Sequence, residues 1–113
     1  MPELDENLCE LCRAETPGLS DDELAALMPS IAGWQLVEVD GVRQLQKEFH
    51  FPDFVAAQAF LNRVADVAER EGHHPAMLLE WGKVTVYWWT HRIRGLHRND
   101  AIMAAKTDNL VSV

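Results

Sequence analysis

Apolar positions recur at two different periods along this chain, and each change of period marks an element. Ser20-Asp21-Asp22-Glu23 has the form of a capping box, in which Ser20 accepts from the amide of Glu23 while Glu23 reaches back. A short helix follows, with Leu24, Leu27 and Met28 as its apolar stripe, and Pro29 helps to end it. Trp34 to Val39 alternates loosely, Asp40-Gly41 is a hairpin turn signal, and Gln44 to Phe51 alternates well. In that second strand Leu45, Phe49 and Phe51 share one face, which Lys47 interrupts. Pro52-Asp53 then opens the longest helix. Phe54, Ala57, Leu61, Val64, Ala65 and Ala68 recur at helical spacing, and Phe60 and Val67 widen the stripe. Gly72 stops this helix, and Pro75 forbids its continuation. Met77 to Trp81 and Lys83 to His91 read as a second hairpin around Gly82, and a last helix runs from about His97–Asp100 towards Leu110. The order α-β-β-α-β-β-α predicts an α+β domain: one four-stranded antiparallel sheet with helices packed on one face. Residues 1–19 read as an N-terminal arm and residues 20–113 as the single folded domain. Thr85, Tyr87 and Trp89 fall on the sheet face away from the helices, which leaves apolar area there for self-association or for cover by the arm.

Composition narrows the function classes. The chain has 113 residues, and its 10 basic and 18 acidic residues give a net charge of −8. Such an excess repels a phosphate backbone, so direct nucleic-acid binding is not expected. No apolar run approaches membrane-spanning length and no signal segment opens the chain, which points to the cytoplasm. Cys9 and Cys12 form one Cys-x-x-Cys outside any βαβ context and with no second pair to complete a zinc site, so two reduced thiols are expected.

The candidate chemistry lies in Gly72-His73-His74-Pro75 and in His91. Pro75 biases His74 towards an extended backbone, so the two adjacent imidazoles sit in the link leaving the long helix. Glu69 lies four residues before His73, close enough in a helix end to orient an imidazole. The second hairpin returns His91 to the same end of the sheet. Three imidazoles there suit proton transfer near neutral pH, or a metal. Neighbouring histidines on an extended link point apart, which makes joint ligation awkward and favours acid–base chemistry. Taken singly, Glu69 reads as a surface charge, Asp100 as a helix-start carboxylate, the four tryptophans as core or interface, and His50 and His97 as surface residues. Arg92, Arg94 and Arg98 read as a solvated basic cluster.

Taken jointly, Glu69, His73-His74-Pro75, Trp81, His91 and Asp100 resemble the signature of the pterin-4a-carbinolamine dehydratase family. Gly33-Trp34, Phe49 to Phe54, Gly82-Lys83-Val84 and Gly95-Leu96 extend the likeness over nearly the whole chain. The Cys9 to Cys12 arm and Trp88 to His91 look like the bacterial branch associated with phenylalanine hydroxylase. Two positions depart from many relatives: His97 stands where they have Ser, and Gly72 where they have Asp. The resemblance implies dehydration of 4a-hydroxytetrahydropterin to quinonoid dihydropterin, which recycles the pterin of an aromatic amino acid hydroxylase. It implies His73, His74 and His91 as catalytic groups, with Glu69, Trp34, Thr90 and Asp100 around the substrate. It implies neither metal nor organic cofactor, and dimers that pair into tetramers. A non-catalytic dimerisation or assembly role for a partner protein is the alternative.

Overall fold

A computed structural model describes residues 17–111; the cysteine pair and most of the predicted arm lie outside the described residues. Ser20 caps α1 (Asp21–Leu27) with both halves of the capping box in place. α1 ends just before Pro29, as expected, although the proline does not end the helical path altogether. It sits in the first turn of a 3₁₀ segment, Met28–Ile31, where its missing N–H leaves no bond unmade. β1 (Gln35–Val39) and β2 (Val42–His50) follow as a hairpin. Its turn residues Asp40 and Gly41 both have positive φ, 52° and 79°, the backbone a tight two-residue turn requires.

α2 (Phe54–Glu71) is capped by the Asp53 side chain, which accepts from the Ala56 amide. Its buried stripe is Ala57, Phe60, Val64 and Ala68. Phe54, predicted on that stripe, is instead 41% exposed. It lies in the opening turn, before the helix reaches the sheet. β3 (Ala76–Glu80) and β4 (Lys83–Trp88) form the second hairpin, and α3 (Arg98–Asp108) closes the described chain. β4 stops at Trp88 rather than reaching His91. Residues His91–Ile93 turn into a 3₁₀ segment, and Thr90 pairs with Gly95 in an isolated bridge.

The sheet is antiparallel with order β1-β2-β4-β3, so the two hairpins meet along β2 and β4. Leu45 pairs with Trp88 and Phe49 with Val84, and these side chains face the helices. Against them pack the α2 stripe, Ala101, Met103 and Ala104 of α3, Leu24, Ile31 and Trp34. The four-stranded α+β arrangement predicted from the periodicity is therefore present. The opposite face is less open than expected. Thr85 and Gln44 are buried there, and the Tyr87 hydroxyl accepts from Gln46. Its exposed apolar groups are Val39 and Leu78 instead. Among the described residues no helix is long and apolar enough to cross a membrane.

Candidate active site

The site is built where the C-terminus of α2, the end of β4 and the N-terminus of α3 converge. α2 ends in a Schellman arrangement: the Gly72 amide donates to Glu69 O (3.3 Å) and the His73 amide to Ala68 O (3.1 Å). Gly72 supplies the left-handed backbone this needs, at φ 64°. His73 is thus fixed by its own main chain to the last turn of the helix, and the two residues that follow lead straight into β3.

The His73 ring turns inward. Its Nε2 lies 2.7 Å from Asp100 Oδ1, and its face stacks on Trp88 at 5.7 Å between ring centres and 13° between planes. Trp88 is fully buried and held in turn, since its indole N–H donates to the Thr107 hydroxyl at 3.0 Å. Asp100 is 0% exposed. Its second oxygen accepts from the Thr90 hydroxyl (2.8 Å) and from the His97 amide (2.9 Å). A buried carboxylate persists only when its acceptor sites are filled, and here both oxygens are. All three donors converge on an ionised acceptor, so Nε2 of His73 carries its proton. Nδ1 is then the ring atom at which His73 can give or take a proton.

His74 and His91 follow the same rule at the surface. His74 Nε2 lies 2.8 Å from Glu69 Oε1. His91 Nε2 lies 3.1 Å from the carbonyl of His74, which can only accept, so this nitrogen too is the protonated one. The His91 ring stacks on Trp89 at 4.2 Å. Each of the three imidazoles is therefore anchored through Nε2 and keeps Nδ1 for exchange. They differ in setting: His73 is almost enclosed, whereas His74 and His91 are exposed. Among the described residues, no three His, Cys, Asp or Glu side chains group so as to hold a metal ion.

The residues expected at the site are brought together with three differences. Glu69 pairs with His74 and not with His73, because the Schellman turn swings His73 inward and leaves the next imidazole over the helix end. Asp100 is at once the helix-start carboxylate and the partner of His73. Trp34 is not drawn to the imidazoles: its indole N–H donates to both oxygens of Asp108 at 3.2 Å, at the far end of α3 from Asp100. Lys47 pairs with the same carboxylate at 2.8 Å, which explains why a lysine interrupts the apolar face of β2. His97, expected as a surface residue, is the half-buried N-cap of α3. From its residue type Trp88 reads only as one of four tryptophans of the core or an interface. Nothing local signals that it backs an imidazole from another element.

Residues 17–110 match the family model described as pterin 4 alpha carbinolamine dehydratase. A protein of Marinobacter nauticus is 56% identical over 97% of this chain and 99% of its own length, and one of Saccharophagus degradans is 50% identical over 97% of each. Both carry the provisional name pterin-4-alpha-carbinolamine dehydratase. A crystal structure from Brucella melitensis, described as a transcriptional coactivator/pterin dehydratase, is 30% identical. It superposes with a TM-score of 0.76 over 85% of this chain and 100% of that one. A pterin dehydratase-like protein identified as a RuBisCO assembly factor in the alpha-carboxysome shares the fold at 22% identity, with a TM-score of 0.60 over 71% of this chain and 90% of that one. With its match running from residue 17 to residue 110 and relatives half identical over nearly their full lengths, this chain belongs to the pterin 4 alpha carbinolamine dehydratase family.

Proposed function

We propose that the chain is a 4a-hydroxytetrahydropterin dehydratase, acting by acid–base catalysis without a metal or organic cofactor. The observation that carries this reading is the His73–Asp100 pair. A buried carboxylate fixes one imidazole in a single tautomer, and His91 stands at the same end of the sheet with its own tautomer fixed by a carbonyl. Dehydration needs a proton delivered to the 4a-hydroxyl as the C–O bond breaks, and a proton removed from a ring nitrogen as the new double bond forms. One imidazolium supplies the first through Nδ1 and one neutral imidazole accepts the second. Water leaves, and the proton count balances. Imidazole populates both states near neutral pH, and positioned groups of this kind contribute about 10²–10⁴-fold each. Thr90 and Asp100 act by holding His73, and Glu69 by orienting His74. Trp34 contributes through the Lys47–Asp108 cluster that braces the end of α3.

On this reading the substrate is the carbinolamine an aromatic amino acid hydroxylase leaves behind and the product is quinonoid dihydropterin, so the protein would act downstream of such a hydroxylase, and we propose the cytoplasm as its location. We propose that it self-associates, because Leu78 and Trp81 of the second hairpin are 52% and 72% exposed beside the edge strand β3. The net charge of −8 opposes direct nucleic-acid binding.

The deciding experiment is dehydration of the carbinolamine by metal-free protein, with His73→Ala and His91→Ala beside it. Acceleration by wild type and a loss of about 10²-fold or more in each variant are expected. Unchanged rates in both variants would sink the reading. A second reading, a dimerisation or assembly cofactor for another protein, draws on the coactivator description of the Brucella melitensis structure. It predicts a stoichiometric partner on purification and no turnover.

A further inference from the structure

We propose that His97 is a pH-dependent positioning residue for this site: its neutral form caps α3 and so holds Asp100 against His73, and its protonation releases that hold. Helix N-caps are normally Ser, Thr, Asp or Asn, whose oxygens accept hydrogen bonds across the neutral pH range. Here the cap is an imidazole. Nδ1 of His97 accepts from the Asn99 amide at 3.0 Å. In return the His97 amide donates to Asp100 Oδ2 at 2.9 Å. The same carboxylate takes the Thr90 hydroxyl on Oδ2 and His73 on Oδ1. The helix cap and the orientation of the buried imidazole therefore share one carboxylate.

A ring nitrogen accepts only while it is unprotonated. Protonation at Nδ1 sets an N–H against the Asn99 N–H and places a positive charge at the positive end of the helix dipole. Asn99 is 1% exposed, so its amide finds no ready replacement in water. Among the described residues, the charged and titratable groups on the bordering elements are few. Asp100 lies on the helix that His97 caps. Arg98 is next to His97 in sequence, and Arg92 and Arg94 lie in the loop closed by the Thr90–Gly95 bridge, which also carries His91. His73 lies across Asp100. Asp21 and Asp22 open α1, reached through the Leu19–Leu96 hydrogen bond. Their balance sets where the change falls, but not its direction, because any protonation of Nδ1 removes the acceptor.

The effect on turnover rests on the acid–base reading of His73; the effect on α3 does not. The test compares wild type with His97→Ser, which keeps an acceptor that does not titrate, and with His97→Ala, which has none. His97→Asn serves the same purpose should the serine variant fold poorly. Between about pH 8 and pH 5.5, wild type should lose about 4 °C more in melting temperature than H97S, with the two alike at the upper pH. H97A should melt lower throughout. The ¹⁵N-detected Nε2–H of His73 should persist at the lower pH in H97S and be lost to exchange in wild type. The kcat/KM of wild type should fall about fivefold further than that of H97S over the same range. Parallel melting profiles for wild type and H97S, or a His73 signal that behaves alike in both, overturn the proposal. Absence of turnover in every variant refutes the dehydratase reading instead, and the thermal and NMR outcomes still decide this one.

Discussion

Asp100 is the residue on which the site turns, because its two oxygens are used by donors of different kinds. Oδ1 takes a side chain that can change tautomer, His73; Oδ2 takes a backbone amide that cannot, that of His97. Asp100→Asn preserves volume but must place an NH₂ at one of these positions. Set against the His97 amide, two donors face each other in a buried site. Set against His73, the imidazole must move its proton to Nδ1, which turns that atom from an acceptor into a donor. The second arrangement should prevail, since it leaves no clash. Asp100→Asn should then lower kcat/KM by about 10²-fold or more, with the His73 ¹⁵N shifts reporting the changed tautomer. Glu69→Gln touches only the exposed His74 pair and should cost less than about tenfold, as solvent already screens that contact. Equal losses in the two variants would mean that burial of Asp100 is not what matters. The sequence showed the imidazoles and Asp100 as members of one pattern, but not their pairing. Counting along a helix brings Glu69 to His73. The left-handed turn at Gly72 redirects it to His74, and a single φ angle decided that outcome.

At the scale of elements, both hairpins were legible because turn chemistry and alternation agreed, while the end of β4 was not. Trp89 and His91 continue the alternation past the point where pairing with β3 stops: the last paired residues are Ala76 and Tyr87, and Pro75 has no amide to extend the ladder. Periodicity reports which way side chains point, not whether a partner strand is present. The two turns also differ in what their glycines do. Gly41 has φ 79° with open space where a Cβ would stand; Gly82 has φ 75°, and its Cβ would lie 2.8 Å from the Phe51 carbonyl oxygen. The Phe51 amide donates to Gly82 O at 2.8 Å, so this close approach ties the second hairpin to the end of β2. Gly41→Ala should therefore cost about 1 kcal/mol from its backbone alone, and Gly82→Ala clearly more in denaturant unfolding. Equal costs would show that the contact with Phe51 yields freely. In α1, the bond from the Ser20 amide, and then that from its hydroxyl, hold the Glu23 carboxyl below its ordinary range. A lowered carboxyl contributes stability above its unfolded value and loses it as pH falls through the folded one. The stability difference between wild type and Glu23→Gln should thus be present at neutral pH and vanish in acid; a difference that grew in acid would contradict the capping-box origin.

For the molecule as a whole, the question is what the sheet does with the side the helices leave uncovered. Thr85 and Gln44 are enclosed there and Lys83 bridges Glu48 and Glu80, so much of this face is already closed by its own side chains. Apolar area remains at both margins, but the larger share adjoins β3, with Leu78 within the strand and Trp81 in the turn after it, against Val39 on β1. β3 is also an edge strand, with one side of its backbone unpaired among the described residues. Soluble proteins usually blunt such an edge with charge or proline, since unpaired amides and carbonyls template further pairing. Here Glu80 alone among the β3 side chains is charged, and a large exposed indole follows it. Burying both apolar groups against a second copy would remove them from water and complete the edge at once. The protein at tens of micromolar should accordingly sediment as more than one chain. Leu78→Lys combined with Trp81→Lys should shift it towards the monomer while leaving the circular dichroism of the fold unchanged. A wild type that sediments as a single chain, or a double variant that associates as before, would place the interface elsewhere or nowhere. If the variant is monomeric and still dehydrates the carbinolamine at the wild-type rate, the catalytic unit is the single chain, in keeping with a His73–Asp100–Thr90 cluster that closes within one protomer.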